Sequence, residues 1–136
     1  MLTKINHIGI AVSSLSESLA FYETHLGMAL TGIEEVAEQG VRVAMLQVGQ
    51  SKIELLEPTS PDSPVAKFLD KNGPGIHHLA YEVADIEDAI ARLVADGLRM
   101  IDTVPRNGAH GARIAFVHPR SSGGVLTELC QAGGGY

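Results

Sequence analysis

Cysteine, basic residues and long apolar runs are scarce in this sequence, and each shortage removes a class of protein. The single cysteine, Cys130, cannot form an internal disulfide and fits a reducing compartment. It lies in an apolar C-terminal stretch and reads there as a small buried hydrophobe. Lys and Arg total 10 against 16 Asp and Glu, a formal charge of -6, so the basic footprint that nucleic-acid binding needs is missing. An anionic substrate is still allowed, because a bound cation would set the local field. No apolar run approaches the roughly 18 residues that cross a bilayer. Met1-Leu2-Thr3-Lys4 leads directly into a strand-like segment and leaves no room for a leader peptide. A cytoplasmic protein without membrane or nucleic-acid partners is expected.

What is present is enough apolar material for one core. Apolar residues make up 45% of 136 positions, which suits a single domain over residues 1–136 and is too short for two. That domain is written twice. His7-Ile-Gly-Ile-Ala-Val12 and the residues after it align with His78-Leu-Ala-Tyr-Glu-Val83 at a constant offset of 78 − 7 = 71. Leu15 falls on Ile86, Leu19 on Ile90 and Ala20 on Ala91. A repeat of this length means two copies of one supersecondary unit.

Each copy opens with a β-branched strand, residues 5–12 and 76–83. A capped helix follows, with Ser14 and Glu17 at the first start and Asp85 and Asp88 at the second. The apolar faces are Leu15, Leu19, Tyr22 and Leu26 in one helix and Ile86, Ile90 and Leu93 in the other. Gly27 and Gly97 are the expected stops. Three strands then follow in each copy, about 28–35, 41–48 and 51–57, and about 99–104, 112–117 and 124–131. Val48-Gly-Gln-Ser51 reads as a tight turn. Between the copies, Ser63, Pro64 and Gly73 bracket a linker helix at about 63–73. The predicted fold is α+β: two tandem β-α-β-β-β modules, about 4–58 and about 75–132, forming curled mixed sheets around a metal-binding cleft.

The repeat also pairs four chemically distinctive residues. His7 and His78 hold the same place in the first strand of each copy, and Glu54 and Glu128 the same place in the last. Their offset, 128 − 54 = 74, drifts by three residues, which loop length absorbs. Strand alternation puts His7, Gly9 and Ala11 on one face and Ile8, Ile10 and Val12 on the other. In the second copy His78 and Ala80 share the site face, while His77, Leu79, Tyr81 and Val83 point away. Glu54 and Glu128 are carboxylates inside apolar strands, where a cation or a proton is demanded. Two imidazoles and two carboxylates suit one divalent ion. Four protein ligands on a six-coordinate ion leave two positions for a bidentate oxygen ligand, as a catalytic site requires.

This duplicated pattern with His and Glu in each half resembles the vicinal oxygen chelate superfamily, which includes glyoxalase I. Within it, the chain is most similar to the methylmalonyl-CoA epimerase family. The resemblance rests on Glu38-Gln-Gly-Val41, Ile53-Glu-Leu-Leu-Glu-Pro58, Asp62-Ser-Pro-Val-Ala-Lys67, Gly75-Ile-His-His-Leu79, Gly108-Ala-His-Gly111 and His118-Pro-Arg-Ser-Ser-Gly-Gly-Val-Leu-Thr-Glu128. It implies an isomerase acting on an acyl-CoA, as a homodimer, with one divalent ion per chain: Co²⁺ first, then Mn²⁺, Ni²⁺, Zn²⁺ or Mg²⁺. The ion would chelate the carboxylate and thioester oxygens of methylmalonyl-CoA and stabilise the enolate formed when the C2 proton leaves. Inversion between the (2R) and (2S) forms needs a proton carrier on each face. The resemblance makes Glu128 both metal ligand and one carrier. The other, in some members, is a glutamate whose place is taken here by Val43. His110, and Glu38 or Gln39 acting with a water, are the remaining candidates. Some members also have a glutamine at the place of Glu54, where a glutamate still serves as a ligand. Two rival readings share the fold. One is a glyoxalase I-type isomerase or lyase using a glutathione adduct. The other is a non-catalytic binding protein, which the intact quartet argues against.

Overall fold

The computed structural model describes residues 1–133. The elements run β1 (Leu2–Ala11), α1 (Leu15–Leu19), β2 (Ala29–Val36), β3 (Val41–Val48), β4 (Ser51–Pro58), α2 (Pro64–Asn72), β5 (Gly75–Val83), α3 (Ile86–Ala95), β6 (Arg106–Asn107), β7 (Arg113–Val117) and β8 (Thr127–Gln131). The α+β class and the doubled β-α-β-β-β order are both present. The chain forms two compact units, His7–His77 and Met1–Asn6 with His78 onward. The divisions fall inside β1 and β5 rather than in the linker.

In the first of these units the strand order is β2-β3-β4-β1, with β1 parallel to β4 and the other neighbours antiparallel. The β3–β4 hairpin closes through Val48 and Ser51, and Gly49 takes φ 58 at the first turn position. That left-handed conformation is one glycine adopts without steric cost. Val12, Leu15, Ala44, Leu46 and Leu55 form the core, joined by Ile10, Leu19, Tyr22 and Ile53. The helix expected to continue to Leu26 departs from α geometry. After Leu19 it becomes a π-helix over Ala20–His25, and Leu26 donates its N–H to the Phe21 carbonyl five residues back at 3.0 Å. A wider turn advances each residue by a smaller angle, so Leu26 rotates off the apolar stripe and is 52% exposed.

In the other unit the order is β5-β8-β7-β6, with β5 parallel to β8 and the rest antiparallel. Val83, Ala115 and Leu129 pack against Ile86, Ala89 and Ile90 of α3. Cys130 is buried on the opposite face, outside any disulfide, beside Ile114 and Phe116. Glu87, in the first turn of α3, pairs with Arg113 of β7. The guanidinium's hydrogen bonds hold the Glu87 carboxyl below the ordinary range, though contact with solvent leaves the pair little energetic weight. The strand expected at 99–104 is not formed. Met100 makes one bridge to Val117, and β6 is only the two residues Arg106–Asn107. The reason is local: the Phe116 N–H is taken by the Asp102 carboxylate at 2.9 Å instead of by a backbone carbonyl, and Pro105 has no N–H to give. Strand β8 likewise begins at Thr127 rather than 124, after a turn in which Gly123 and Gly124 have φ 71 and 93.

Both helix starts behave as the sequence indicates. Ser14 Oγ accepts the Glu17 N–H at 3.3 Å, and Asp85 Oδ1 accepts the Asp88 N–H at 3.0 Å. The linker helix is capped by Ser63 Oγ on the Ala66 N–H at 3.1 Å. Removing the α3 cap with Asp85→Ala is expected to cost about 0.5–2 kcal/mol. Urea denaturation would register this as a lower midpoint with an unchanged slope.

Candidate functional site

The strand registers explain how the two His–Glu pairs arise. In the His7–His77 unit, Gly9 of β1 is in register with Glu54 of β4. His7 is two residues before Gly9, so its side chain emerges on the same face as Glu54. His7 Nδ1 lies 3.2 Å from Glu54 Oε2, with the residues 4% and 9% exposed. Ile53 and Leu55, on either side of Glu54, turn into the core.

The other unit repeats this at the level of register. Ala80 of β5, two residues after His78, is in register with Glu128 of β8. His78 Nε2 lies 3.3 Å from Glu128 Oε1, and both residues are at most 5% exposed. The three-residue drift between the copies thus vanishes at the pairing itself, since each glutamate sits opposite the residue two beyond its histidine. The nitrogen turned to the carboxylate differs, Nδ1 for His7 and Nε2 for His78.

The spacing has chemical meaning. Two donors about 2.1 Å from a common ion and at right angles to one another are about 3.0 Å apart. Separations of 3.2 and 3.3 Å are close to that value and at or beyond the long end of an ordinary N–H···O hydrogen bond. Each unit therefore presents an imidazole nitrogen and a carboxylate oxygen, both buried, at a spacing that fits divalent-metal ligation.

Other residues singled out in the sequence fall as follows. His77 points away from His78, and its ring meets Phe68 of α2 edge-to-face at 5.1 Å. His110 is exposed, with φ 57 in the turn before β7. Glu38 and Gln39 lie in a 3₁₀ turn after β2. Val43 is 2% exposed on β3, with Glu34 and Leu56 as its cross-strand neighbours. It is two residues from Met45, the partner of Glu54, so the Glu54 face of β3 carries an apolar side chain at this place.

One group of residues escaped the sequence reading. Asp102, 11% exposed at its side chain, accepts from Arg106 Nε at 2.9 Å. The Arg106 guanidinium carbon stands 5.7 Å from the centre of the Phe116 ring. That ring meets His78 edge-to-face at 5.5 Å, and Phe116 is in register with Glu128. A regular strand at 99–104 would have predicted none of this.

Comparison with known proteins follows the same lines. The family model for the glyoxalase/bleomycin resistance protein/dioxygenase superfamily matches residues 6–116. The mitochondrial methylmalonyl-CoA epimerase of Homo sapiens is 41% identical, over 96% of this chain and 75% of that protein. The ethylmalonyl-CoA/methylmalonyl-CoA epimerase of Cereibacter sphaeroides is also 41% identical, over 96% of this chain and 99% of that protein. Among solved structures, a Streptomyces coelicolor methylmalonyl-CoA epimerase in complex with 2-nitronate-propionyl-CoA superposes with a TM-score of 0.95 at 43% identity, covering 98% of this chain and 97% of that one.

Proposed function

Because the chain belongs to the glyoxalase/bleomycin resistance protein/dioxygenase superfamily, we propose that it is an epimerase interconverting (2R)- and (2S)-methylmalonyl-CoA by removing and returning the C2 proton. The observation that carries this reading is the recurrence of one buried His–Glu pair in each unit, in a chain similar along nearly its whole length to methylmalonyl-CoA epimerases. In this reading residues 1–136 act as a single domain, and His7, Glu54, His78 and Glu128 together hold one divalent ion. Co²⁺ is the first choice, ahead of Mn²⁺, Ni²⁺, Zn²⁺ and Mg²⁺; the two imidazoles favour the transition ions, and the two carboxylates also suit Mn²⁺ and Mg²⁺. When bound, the ion would supply Lewis-acid polarisation of the thioester carbonyl, which acidifies C2.

The protein's own groups do the rest. Glu128 takes the C2 proton onto its carboxylate and can return it to the same face. Its strand neighbours Ala80, Phe116 and Cys130 are buried and apolar, and His78 stands beside it at 3.3 Å. Val43 carries no proton, so inversion requires a second carrier on the opposite face, a role we assign to His110 and test with His110→Ala. We also propose a cytoplasmic homodimer. No helix among the described residues is long and apolar enough to cross a membrane.

The test is isotopic. Metal-loaded protein in D₂O is expected to place deuterium at C2 of methylmalonyl-CoA, and chelator-treated protein to lose that exchange. Lactoylglutathione lyase activity without exchange would replace this reading by the glyoxalase one. Purified protein without stoichiometric metal and without either activity would favour a binding protein.

A further inference from the structure

Resting on the epimerase reading, we infer that Arg106 is an anion-recognition residue that receives an oxyanion of the acyl-CoA substrate beside the His78–Glu128 pair. Four observations converge on it. Arg106 is held on one edge by Asp102, whose Oδ1 accepts from Nε at 2.9 Å. Asp102 is itself fixed, because its Oδ2 accepts the Phe116 N–H at 2.9 Å. The guanidinium is stacked over Phe116 at 5.7 Å, and the same ring abuts His78 at 5.5 Å. Finally, the Arg106 side chain remains 40% exposed although the ring beneath it is 8% exposed.

This is how a guanidinium is prepared for binding. Anchoring Nε and stacking the plane on an aromatic face remove rotamer freedom before a ligand arrives. What remains is a planar fork of N–H donors, the geometry that matches a carboxylate or phosphate bidentately. An arginine needed only to neutralise Asp102 would not have to lie on the ring of Phe116, which meets His78 and is the cross-strand partner of Glu128. The substrate offers two anionic sources, the free carboxylate of its acyl head and the phosphates of its nucleotide.

The two sources separate by ligand. Binding of methylmalonyl-CoA, propionyl-CoA and methylmalonyl-pantetheine is measured by calorimetry on metal-loaded wild type, Arg106→Gln and Arg106→Lys. Loss of a charge-assisted contact is expected to weaken binding about ten- to a hundredfold in Arg106→Gln. Arg106→Lys, which keeps the charge without the fork, should recover part of it. If the oxyanion is the acyl carboxylate, methylmalonyl-CoA and methylmalonyl-pantetheine weaken and propionyl-CoA does not. If it is a phosphate, both CoA thioesters weaken and the pantetheine ester does not.

Asp102→Asn retains an oxygen for the Phe116 N–H, loosens the hold on Nε, and should give a smaller loss of the same ligand selectivity. In the double variant with Arg106→Gln it should add nothing, as expected of a residue acting through another. Arg106→Gln binding all three ligands within about twofold of a wild type that binds them would overturn the assignment and leave the epimerase reading standing. A wild type that binds none of the thioesters would bring down both.

Discussion

A Glu128→Gln enzyme at saturating metal is expected to exchange the C2 proton two to four orders of magnitude more slowly than wild type, the usual scale for removing a general base. In barrier terms this is about 3–5 kcal/mol. Glutamine keeps an oxygen donor at nearly the same place, so a purely ligating role predicts weakened metal affinity that added metal repairs. It cannot accept a proton, so a proton-carrying role predicts a deficit that metal does not repair. A carboxylate that also binds a cation loses basicity. Its position beside the reacting carbon offsets part of that loss. Exchange rates measured across a metal titration, with metal content checked by elemental analysis, separate the two roles. Near-normal exchange at saturating metal would reduce Glu128 to a ligand.

His78→Ala is expected to abolish tight metal binding while the fold survives, and His77→Ala to leave the metal in place. The contrast follows from strand alternation, since adjacent residues point to opposite faces. His78 lies 3.3 Å from Glu128, whereas the His77 ring is spent on Phe68. Loss of a ligand should exceed the roughly 10–100-fold that loss of an outer-shell partner costs. Loss of the aromatic contact should instead lower stability by about 0.5–1.5 kcal/mol. His7→Ala is expected to mirror His78→Ala because its register with Glu54 is equivalent. A metal titration and a thermal melt on the three variants decide the matter, and equal metal loss from His77→Ala and His78→Ala would refute the role assigned to alternation.

Much of this architecture is legible in the sequence alone, because the sequence contains itself twice. A single strand histidine or glutamate carries little information, but His7 with His78 and Glu54 with Glu128 recur at matching places in two copies of one unit. Helix starts were readable from Ser14, Asp85 and Ser63, whose side chains satisfy backbone donors within three residues. Such contacts are local, so the chain signals them directly. Where the reading failed, a less regular arrangement had replaced the regular one. The π-helix that turned Leu26 outward depends on hydrogen bonds whose one-residue shift leaves no mark in an apolar pattern. The expected strand at 99–104 lost its ladder to the Asp102 side chain.

By itself, then, the sequence determined the α+β class, the doubled module, the capped helices and the four residues with metal-ligand chemistry, since periodicity and repetition are properties of the chain. The tertiary structure decided which strand residues stand opposite one another. A three-residue drift between the copies becomes an identical His–Glu register only once loops of different length have closed. It also decided that Asp102 fixes Arg106 over Phe116 beside His78. These residues come from three separate segments, and pairing across such distances is set by packing and sheet register rather than by any local preference of the chain.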